Sequence, residues 1–122
     1  MVVQILDALR HVNDCLVYMS KLRHKDIFRF CAIPQVMAMG TLNLCLNNHA
    51  VFEGVVKMRR GQTAKIFWTM TNFEDACAMF EHYARQMSLK IQVSRVSGVV
   101  TTGRCLSLFA YFCISFEGLL YL

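Results

Sequence analysis

The sequence predicts an all-α protein, and three observations lead to this fold class. Apolar residues recur at steps of three and four through most of residues 2–91, which is the period of helices that bury one face. One segment, 27–46, is apolar nearly all round a helical projection, as expected of a central helix. One proline and six glycines in 122 residues leave little material for the many turns of a β fold.

The first predicted helix runs from Val2 to about Leu22. Its apolar positions are three or four residues apart, and Asp7, Arg10 and Lys21 fill much of the opposite face. A polar stretch at 23–26 then interrupts the pattern. Because aspartate is a good N-terminal cap, Asp26 is predicted to cap the next helix.

The second predicted helix runs from Ile27 to about Leu46 and contains the only proline, Pro34. A proline inside a helix has no N–H for the carbonyl four residues earlier, so the helix should kink beside Phe30. Phe28 projects about 200° away from Phe30, so the two rings should have different roles. Burial of both rings in a core is the simpler interpretation. The alternative is an aromatic surface that stabilises a cation.

The third predicted helix runs from Val55 to about Met70, with Gly61 inside it at a cost of about 1 kcal/mol relative to alanine. Such a helix would place Lys57 and Arg60 on one face, with Arg59 about 100° away. A basic cluster of this kind attracts phosphates of any origin, including nucleic acid, lipid headgroups, diphosphates and dinucleotides. Taken alone, the cluster is best interpreted as a solvated surface.

The fourth predicted helix covers 73–91, with Glu74 and Asp75 in its first turn, where acidic side chains favour the helix dipole. Residues 92–104 are small, β-branched and polar, and they are predicted to be a linker. Residues 105–122 form an apolar run close to the ~20 residues of a membrane helix.

The apolar run at 105–122 is interpreted as a candidate C-terminal membrane anchor. Arg95 and Arg104 precede it, which fits a cytosolic face on that side. Glu117 opposes this interpretation, because an acid inside a membrane costs roughly 2.5–3.5 kcal/mol. The alternative is a hydrophobic tail that packs on a partner.

Composition narrows the class of protein further. The hydrophobic content of 56% exceeds the usual value of about 45–50%, so the chain should touch a membrane, pair with a partner or form part of a larger protein. The six cysteines make no C-x-x-C pair and lie among apolar residues, which indicates reduced thiols in a chain facing the cytosol. His11, Asp14 and Cys15 could form a metal corner, although a surface patch is the better interpretation.

Several segments resemble squalene synthases, in the same order and spacing. They are "HVNDCLVYMSKLR", "IFRFCAIPQVMAMGTL", the double asparagine, and "VFEGVVKMRRGQTAK". The resemblance covers residues 1–91 and is strongest over 27–63. It implies a partial isoprenoid-synthase fold of about four helices, corresponding to the C-terminal part of the family's catalytic domain. It also implies anchoring in the endoplasmic reticulum membrane, with the bulk of the chain facing the cytosol.

The resemblance implies roles for individual residues in the family's reaction. That reaction condenses two farnesyl diphosphates into presqualene diphosphate, which NADPH reduces to squalene, with Mg²⁺ required. Phe28 and Phe30 match the family's catalytic phenylalanine pair, and Pro34 and Gln35 match pocket-lining positions. The basic residues proposed to hold the NADPH phosphate correspond to Lys57 and Arg59.

The chain also departs from the family pattern. Leu46 stands where the family usually has an aromatic residue before the double asparagine, and no resemblance extends beyond about residue 93. The family's aspartate-rich Mg²⁺-binding motifs are absent. We therefore expect the chain to be inactive alone, because metal-assisted ionisation needs ligands for the metal. The alternative is a small tail-anchored helical protein that binds or regulates a partner. A nucleic-acid-binding module ranks last, since aromatic residues are not clustered among the basic ones.

Overall fold

The computed structural model describes residues 2–96, with side chains over 3–93. Within this part of the chain, the backbone is helical and contains no strand, which confirms the all-α prediction. The candidate anchor at 105–122 and most of the predicted linker lie outside the described residues. The helices are α1 (Val2–Arg10), α2 (Val12–Ser20), α3 (Lys25–Cys45), α4 (Ala50–Glu53), α5 (Arg60–Thr69) and α6 (Phe73–Val96).

The first predicted helix is two helices in the structure. The break falls at His11, whose φ of −82° and ψ of −9° are still close to helical values. The His11 N–H donates to the carbonyl of Ala8 at 3.3 Å, a tighter turn than that of an α-helix. The apolar period continues through the break, because Val12, Leu16 and Met19 of α2 are all buried.

The central helix is α3, whose bounds lie within two residues of the prediction. It packs against α2, α5 and α6, and its buried face includes Phe28, Ala32, Val36 and Met39. The predicted cap at Asp26 is wrong, because His24 precedes the helix and no side chain caps its N-terminus. Asp26 lies in the first turn instead, where its charge still favours the helix dipole.

The double asparagine ends α3 and begins α4. Asn47 has a φ of 56°, in the left-handed region that often terminates a helix. Asn48 donates its Nδ2–H to the carbonyl of Leu44 at 3.1 Å and accepts the Ala50 N–H on Oδ1 at 3.1 Å. Asn47 and Asn48 therefore form the connection between the two helices.

The third predicted helix begins five residues later than expected, and α5 starts at Arg60. Residues 55–59 are not helical, and Arg59 has extended angles of φ −69° and ψ 144°. The Arg59 N–H donates to Gln62 Oε1 at 3.3 Å, which satisfies one of the free donors at the start of α5. Gly61 thus lies in the first turn of the helix rather than in its interior.

Helix α6 begins where it was predicted and continues five residues beyond the predicted end at Ile91. The Asp75 carboxylate accepts the hydroxyl and backbone N–H of Thr71 and the N–H of Asn72, which ties the start of the helix to the preceding turn. These hydrogen bonds, led by that from the Thr71 hydroxyl, lower the pKa of Asp75 below its usual value of 3.8.

The core lies chiefly between α3 and α6. Phe28 of α3 meets Phe73 of α6 edge to face, with ring centroids 6.5 Å apart and an interplanar angle of 70°. The buried residues of α6 recur at steps of three and four, as one face of a helix requires. They are Cys77, Phe80, Ala84, Met87 and Ile91, with Ala76 buried beside Cys77.

Candidate functional site

One stripe of α3 is open and forms a groove of about 690 Å³ with a side chain of α5. The α3 residues follow one another at steps of three and one, so they lie along a single side of the helix. We call this feature the aromatic groove. Its lining residues are Asp26, Arg29, Phe30, Ile33, Pro34 and Met37 of α3, with Phe67 of α5.

Phe28 and Phe30 have opposite environments, which agrees with their predicted positions about 200° apart, but the simpler interpretation that both rings are buried in a core is wrong. Phe28 is 5% exposed in the core, whereas Phe30 is 80% exposed and lines the aromatic groove. Pro34 lies in the same groove, one turn after Phe30, and it cannot donate to the Phe30 carbonyl. Gln35 is exposed and is not among the residues that line this groove.

Arg29 connects the two helices that form the aromatic groove. Its Nη2–H donates to the backbone carbonyl of Phe67 at 3.2 Å, which holds α5 against α3. Its Nε is buried and has no hydrogen-bond partner among the described residues. The groove is therefore mostly apolar, and its charged lining residues are Asp26 and Arg29.

The basic residues occupy the extended segment before α5. Along residues 55–59, exposed and half-buried side chains alternate, as they do in an extended chain with a period of two. Lys57 and Arg59 are exposed together, while Met58 between them is half-buried and packs on the core. The predicted shared face of Lys57 and Arg60 is wrong, because the segment is not helical there.

Gly40 of α3 is the reason that Met58 can lie so close to the helix. A Cβ at position 40 would lie 2.8 Å from Met58 Sδ and 3.2 Å from Tyr83 Cζ. Only glycine therefore fits without a shift of the surrounding side chains. This contact could not be predicted from the sequence, because nothing local to Gly40 indicates a close neighbour from α6 or from residues 55–59.

A chain of hydrogen-bonded polar side chains connects α3 to α6, and it was not predicted from the sequence either. Asn43 is only 7% exposed, and its Nδ2–H donates to Gln86 Oε1 at 2.7 Å. Gln86 Nε2 lies 3.0 Å from His82 Nε2, and the Lys90 ammonium donates to the Asn43 carbonyl. Asn43 Oδ1 is buried without a partner among the described residues. The available signal was one amide in the otherwise apolar second half of α3.

No group of three or more His, Cys, Asp or Glu side chains within the described part of the chain could hold a metal ion. His11, Asp14 and Cys15 therefore do not make a metal corner. The described residues do not fit Mg²⁺, which prefers several oxygen ligands in near-octahedral geometry.

Both the sequence and the structure of this chain are similar to those of squalene synthases. The chain is 48% identical over 100 residues to squalene synthase 3 of Panax ginseng, and 45% identical to squalene synthase 1 of Arabidopsis thaliana. Each match covers 82% of this chain and 24% of the relative. None of the protein-family models matches.

Among solved structures, two complexes of TcSQS, with the ligands E5700 and BPH1237, match this fold. Each has a TM-score of 0.71 and 34% sequence identity, over 88% of this chain and 29% of that one. The fold is therefore part of the all-α isoprenoid-synthase fold. Within that class, the chain belongs to the squalene synthase family, and it spans about a quarter of the length of the curated relatives it matches.

Proposed function

We propose that the chain forms part of the site in which a squalene synthase reduces presqualene diphosphate to squalene. The observation that supports this most is the aromatic groove, where Phe30 presents an exposed ring beside Pro34 and Phe67. An apolar groove with aromatic walls suits an isoprenoid chain, since it offers hydrocarbon contact and few polar groups that would hold water.

Phe30 would act on the charge that develops during this reaction. Loss of the diphosphate from presqualene diphosphate leaves a carbocation, and the face of an aromatic ring attracts a cation by about 2 kcal/mol when water is excluded. Phe28 would act through packing, since its buried contact with Phe73 positions the turn of α3 that carries Phe30. Pro34 would keep an N–H out of the groove. The pocket-lining role of Gln35 rests on the family resemblance alone, since Gln35 does not line the groove.

Lys57 and Arg59 would hold the phosphate groups of NADPH. Both are exposed on the same side of an extended segment, so two cations are presented together to an anion. NADPH, when bound, would supply a hydride to the carbocation. The contribution of this chain is the attraction and positioning of the phosphates.

The first half-reaction would need Mg²⁺ ligands from outside the described residues. We therefore expect the isolated chain to make no squalene from farnesyl diphosphate. Incubation of the purified chain with farnesyl diphosphate, Mg²⁺ and NADPH tests this expectation, and squalene above background would contradict it.

Membrane attachment at the endoplasmic reticulum, with the bulk of the chain on the cytosolic side, is part of the same proposal. It is supported by the family resemblance and by the apolar run at 105–122. Helix α3 is also long and apolar enough to cross a membrane, but a core helix meets the same criteria and α3 packs against three others. Carbonate extraction of membranes tests the attachment, and release of the chain into the wash would refute an integral anchor.

A chimera tests the role of the aromatic groove. The matched 100 residues of Panax ginseng squalene synthase 3 would be replaced by those of this chain. We expect Phe30→Leu in the chimera to lower the squalene formed per presqualene diphosphate by up to about 30-fold, the rate equivalent of about 2 kcal/mol. Phe52→Leu is the matched control, since Phe52 is 74% exposed and does not line the groove. Equal effects of both variants would refute the proposal.

The same chimera tests the cofactor residues. Lys57→Gln and Arg59→Gln should each raise the KM for NADPH more than that for farnesyl diphosphate, because each removes a charge from a phosphate contact. Arg60→Gln is the control, since Arg60 begins α5 instead of continuing the extended segment. A larger effect at Arg60 than at Arg59 would show that the paired exposure of Lys57 and Arg59 does not hold the cofactor.

A further inference from the structure

A second cavity lies beside the contact between Asn43 and Gln86, and it shares no lining residue with the aromatic groove. It is formed by α3, α5 and α6 together with Met58 of the extended segment, and its volume is about 490 Å³. Pockets for small molecules commonly have roughly 300–1,000 Å³. Its lining includes the apolar side chains of Met58, Ile66 and Met79 and the amides of Asn43 and Gln86. We call this feature the amide cavity.

Asn43 is the feature that distinguishes the amide cavity from a simple packing gap. Among the residues that the structure describes, it is the only polar side chain that is buried, with 7% exposed. Its Nδ2–H donates to Gln86 Oε1 at 2.7 Å, whereas its Oδ1 has no hydrogen-bond partner in the described part of the chain. Buried polar atoms are normally hydrogen-bonded. A bound molecule that donates a hydrogen to this oxygen would therefore complete the bonding of Asn43.

The charges around the amide cavity decide which kind of donor fits. Lys65 lines the cavity, the Lys90 ammonium donates to the Asn43 backbone carbonyl, and no Asp or Glu of the described residues lines it. An amine cation would be repelled by these charges. An anion would suit them, but it carries no hydrogen for Asn43 Oδ1. A neutral hydroxyl group fits best, because its hydrogen can meet Oδ1 while its oxygen accepts from the Gln86 amide or from Lys65.

We propose that the amide cavity binds a neutral apolar alcohol, whose hydroxyl group donates to Asn43 Oδ1 and whose hydrocarbon body packs on Met58, Ile66 and Met79. Two of these three side chains are methionines, which are flexible and polarizable and so adapt to the shape of an apolar ligand. The cavity is separate from the aromatic groove, so its ligand is independent of the chemistry assigned to Phe30 and of the phosphate contacts assigned to Lys57 and Arg59.

Two molecules with the same carbon skeleton test the hydrogen bond. Menthol is a compact apolar alcohol, and menthone has a carbonyl in place of the hydroxyl, so it cannot donate. In titration calorimetry with the purified 122-residue chain, we expect menthol to bind about 10- to 100-fold more tightly, because menthone leaves Asn43 Oδ1 buried without a donor. Equal affinities overturn the proposal. Absence of saturable binding also overturns it, as expected if a water molecule alone meets this oxygen.

Asn43→Leu tests which residue makes the distinction. Leucine removes the acceptor, so this variant should bind menthol no better than menthone, while its affinity for menthone should stay within twofold. Phe30→Leu is the control, since Phe30 lines the aromatic groove and not the amide cavity, and it should keep the preference for menthol. Circular dichroism shows whether both variants keep their helices. A preference that persists in a folded Asn43→Leu chain, or that Phe30→Leu abolishes, refutes the assignment.

The methionine methyl groups locate the bound alcohol in the unchanged chain, so this measurement does not depend on the folding of a variant. Met58 and Met79 line the amide cavity, whereas Met37 lines the aromatic groove. In a chain labelled with carbon-13 at the methionine methyls, menthol should shift the NMR signals of Met58 and Met79 and leave that of Met37 in place. A shift confined to Met37 would place the alcohol in the aromatic groove and overturn the proposal.

Discussion

The two sides of α3 differ in what they contact, although the sequence makes them almost equally apolar. On one side, Phe28 packs its ring edge against Phe73 and is nearly enclosed. On the other side, Phe30 is 80% exposed in an open groove. Two residues of the same type, two positions apart, thus have separate tasks. The buried side holds the helices together, and the open side is available for a ligand or a partner.

The contrast between buried Phe28 and exposed Phe30 shows that hydrophobicity alone does not locate the core in this chain, which aligns with only part of the length of its relatives. An apolar side chain is buried where a neighbouring helix exists to cover it. Phe28 has α6 as its neighbour, whereas Phe30 has none among the described residues apart from Phe67 across the groove. Exposure of an aromatic stripe is therefore a sign of function or assembly here.

The largest expected effect comes from truncating the two phenylalanines. Phe28→Ala should lower the free energy of unfolding by about 3–5 kcal/mol, since it leaves a cavity between α3 and α6. Phe30→Ala should change it by less than about 0.5 kcal/mol, because the ring is exposed. Urea denaturation followed by circular dichroism measures both values. Similar losses for the two variants would show that the faces do not differ as described.

The hydrogen-bonded polar side chains between α3 and α6 give the next largest expected effect on stability. Gln86→Leu should destabilise the fold by about 1–3 kcal/mol, because it leaves the buried Asn43 Nδ2–H without an acceptor. Asn43→Leu should cost less or even stabilise, because it also removes the unpaired Oδ1, while half-buried Gln86 can still bond to water. Denaturation curves of the two variants decide the order. A larger loss for Asn43→Leu would contradict this account of the network.

Substitutions of Gly40 and Gly61 by alanine should change the stability of the fold in opposite directions. Gly40→Ala should destabilise by about 1 kcal/mol, because the new Cβ is too close to Met58 and Tyr83 and this overpacking exceeds the gain in helix propensity. Gly61→Ala meets no atom within 4 Å and should stabilise α5 by up to about 1 kcal/mol. The midpoints of thermal unfolding should move in opposite directions, and a shift in the same direction would refute the close packing at Gly40.

The smallest effect concerns the start of α6, the helix that covers the buried side. Asp75 has a lowered pKa in the folded chain, so its ionised form stabilises the fold above the unfolded pKa near 3.8. This stabilisation should be lost as the pH falls from about 4 through the lower folded pKa. Asp75→Asn should cost about 1 kcal/mol at pH 7 and little at acidic pH. The free energy of unfolding against pH measures this, and parallel curves for the two proteins would contradict it.

The parts of the fold that follow from local patterns could be predicted from the sequence. The extent of α3 and the start of α6 were predicted because the apolar period and the acidic residues of a first turn act within a few positions of each other. The break at His11 and the course of residues 55–59 were not predicted. No proline or glycine marks His11, and the extended segment depends on Met58 reaching Gly40, which is eighteen positions earlier.

The candidate site likewise has features that follow from local sequence patterns and others that depend on contacts between distant residues. Phe30 and Pro34 were assigned to one side of α3 from helical geometry, and both line the groove. Phe67 and the Asn43–Gln86 contact were not anticipated, because they join residues that lie far apart in the chain. The functional roles of the phenylalanine pair and of the basic pair remain predictions that come from the family.

Exposed and half-buried side chains alternate along residues 55–59. A change in the length of this segment by an odd number of residues should therefore reverse which side chains face the core. With Met58 fixed against Gly40, its two neighbours must face away from the core, and both of them are cations. Deleting one residue between Gly54 and Met58 would turn Arg59 towards Gly40, or would pull Met58 out of its contact. The segment resembles a surface loop in exposure, yet it should tolerate insertions or deletions of two residues better than those of one.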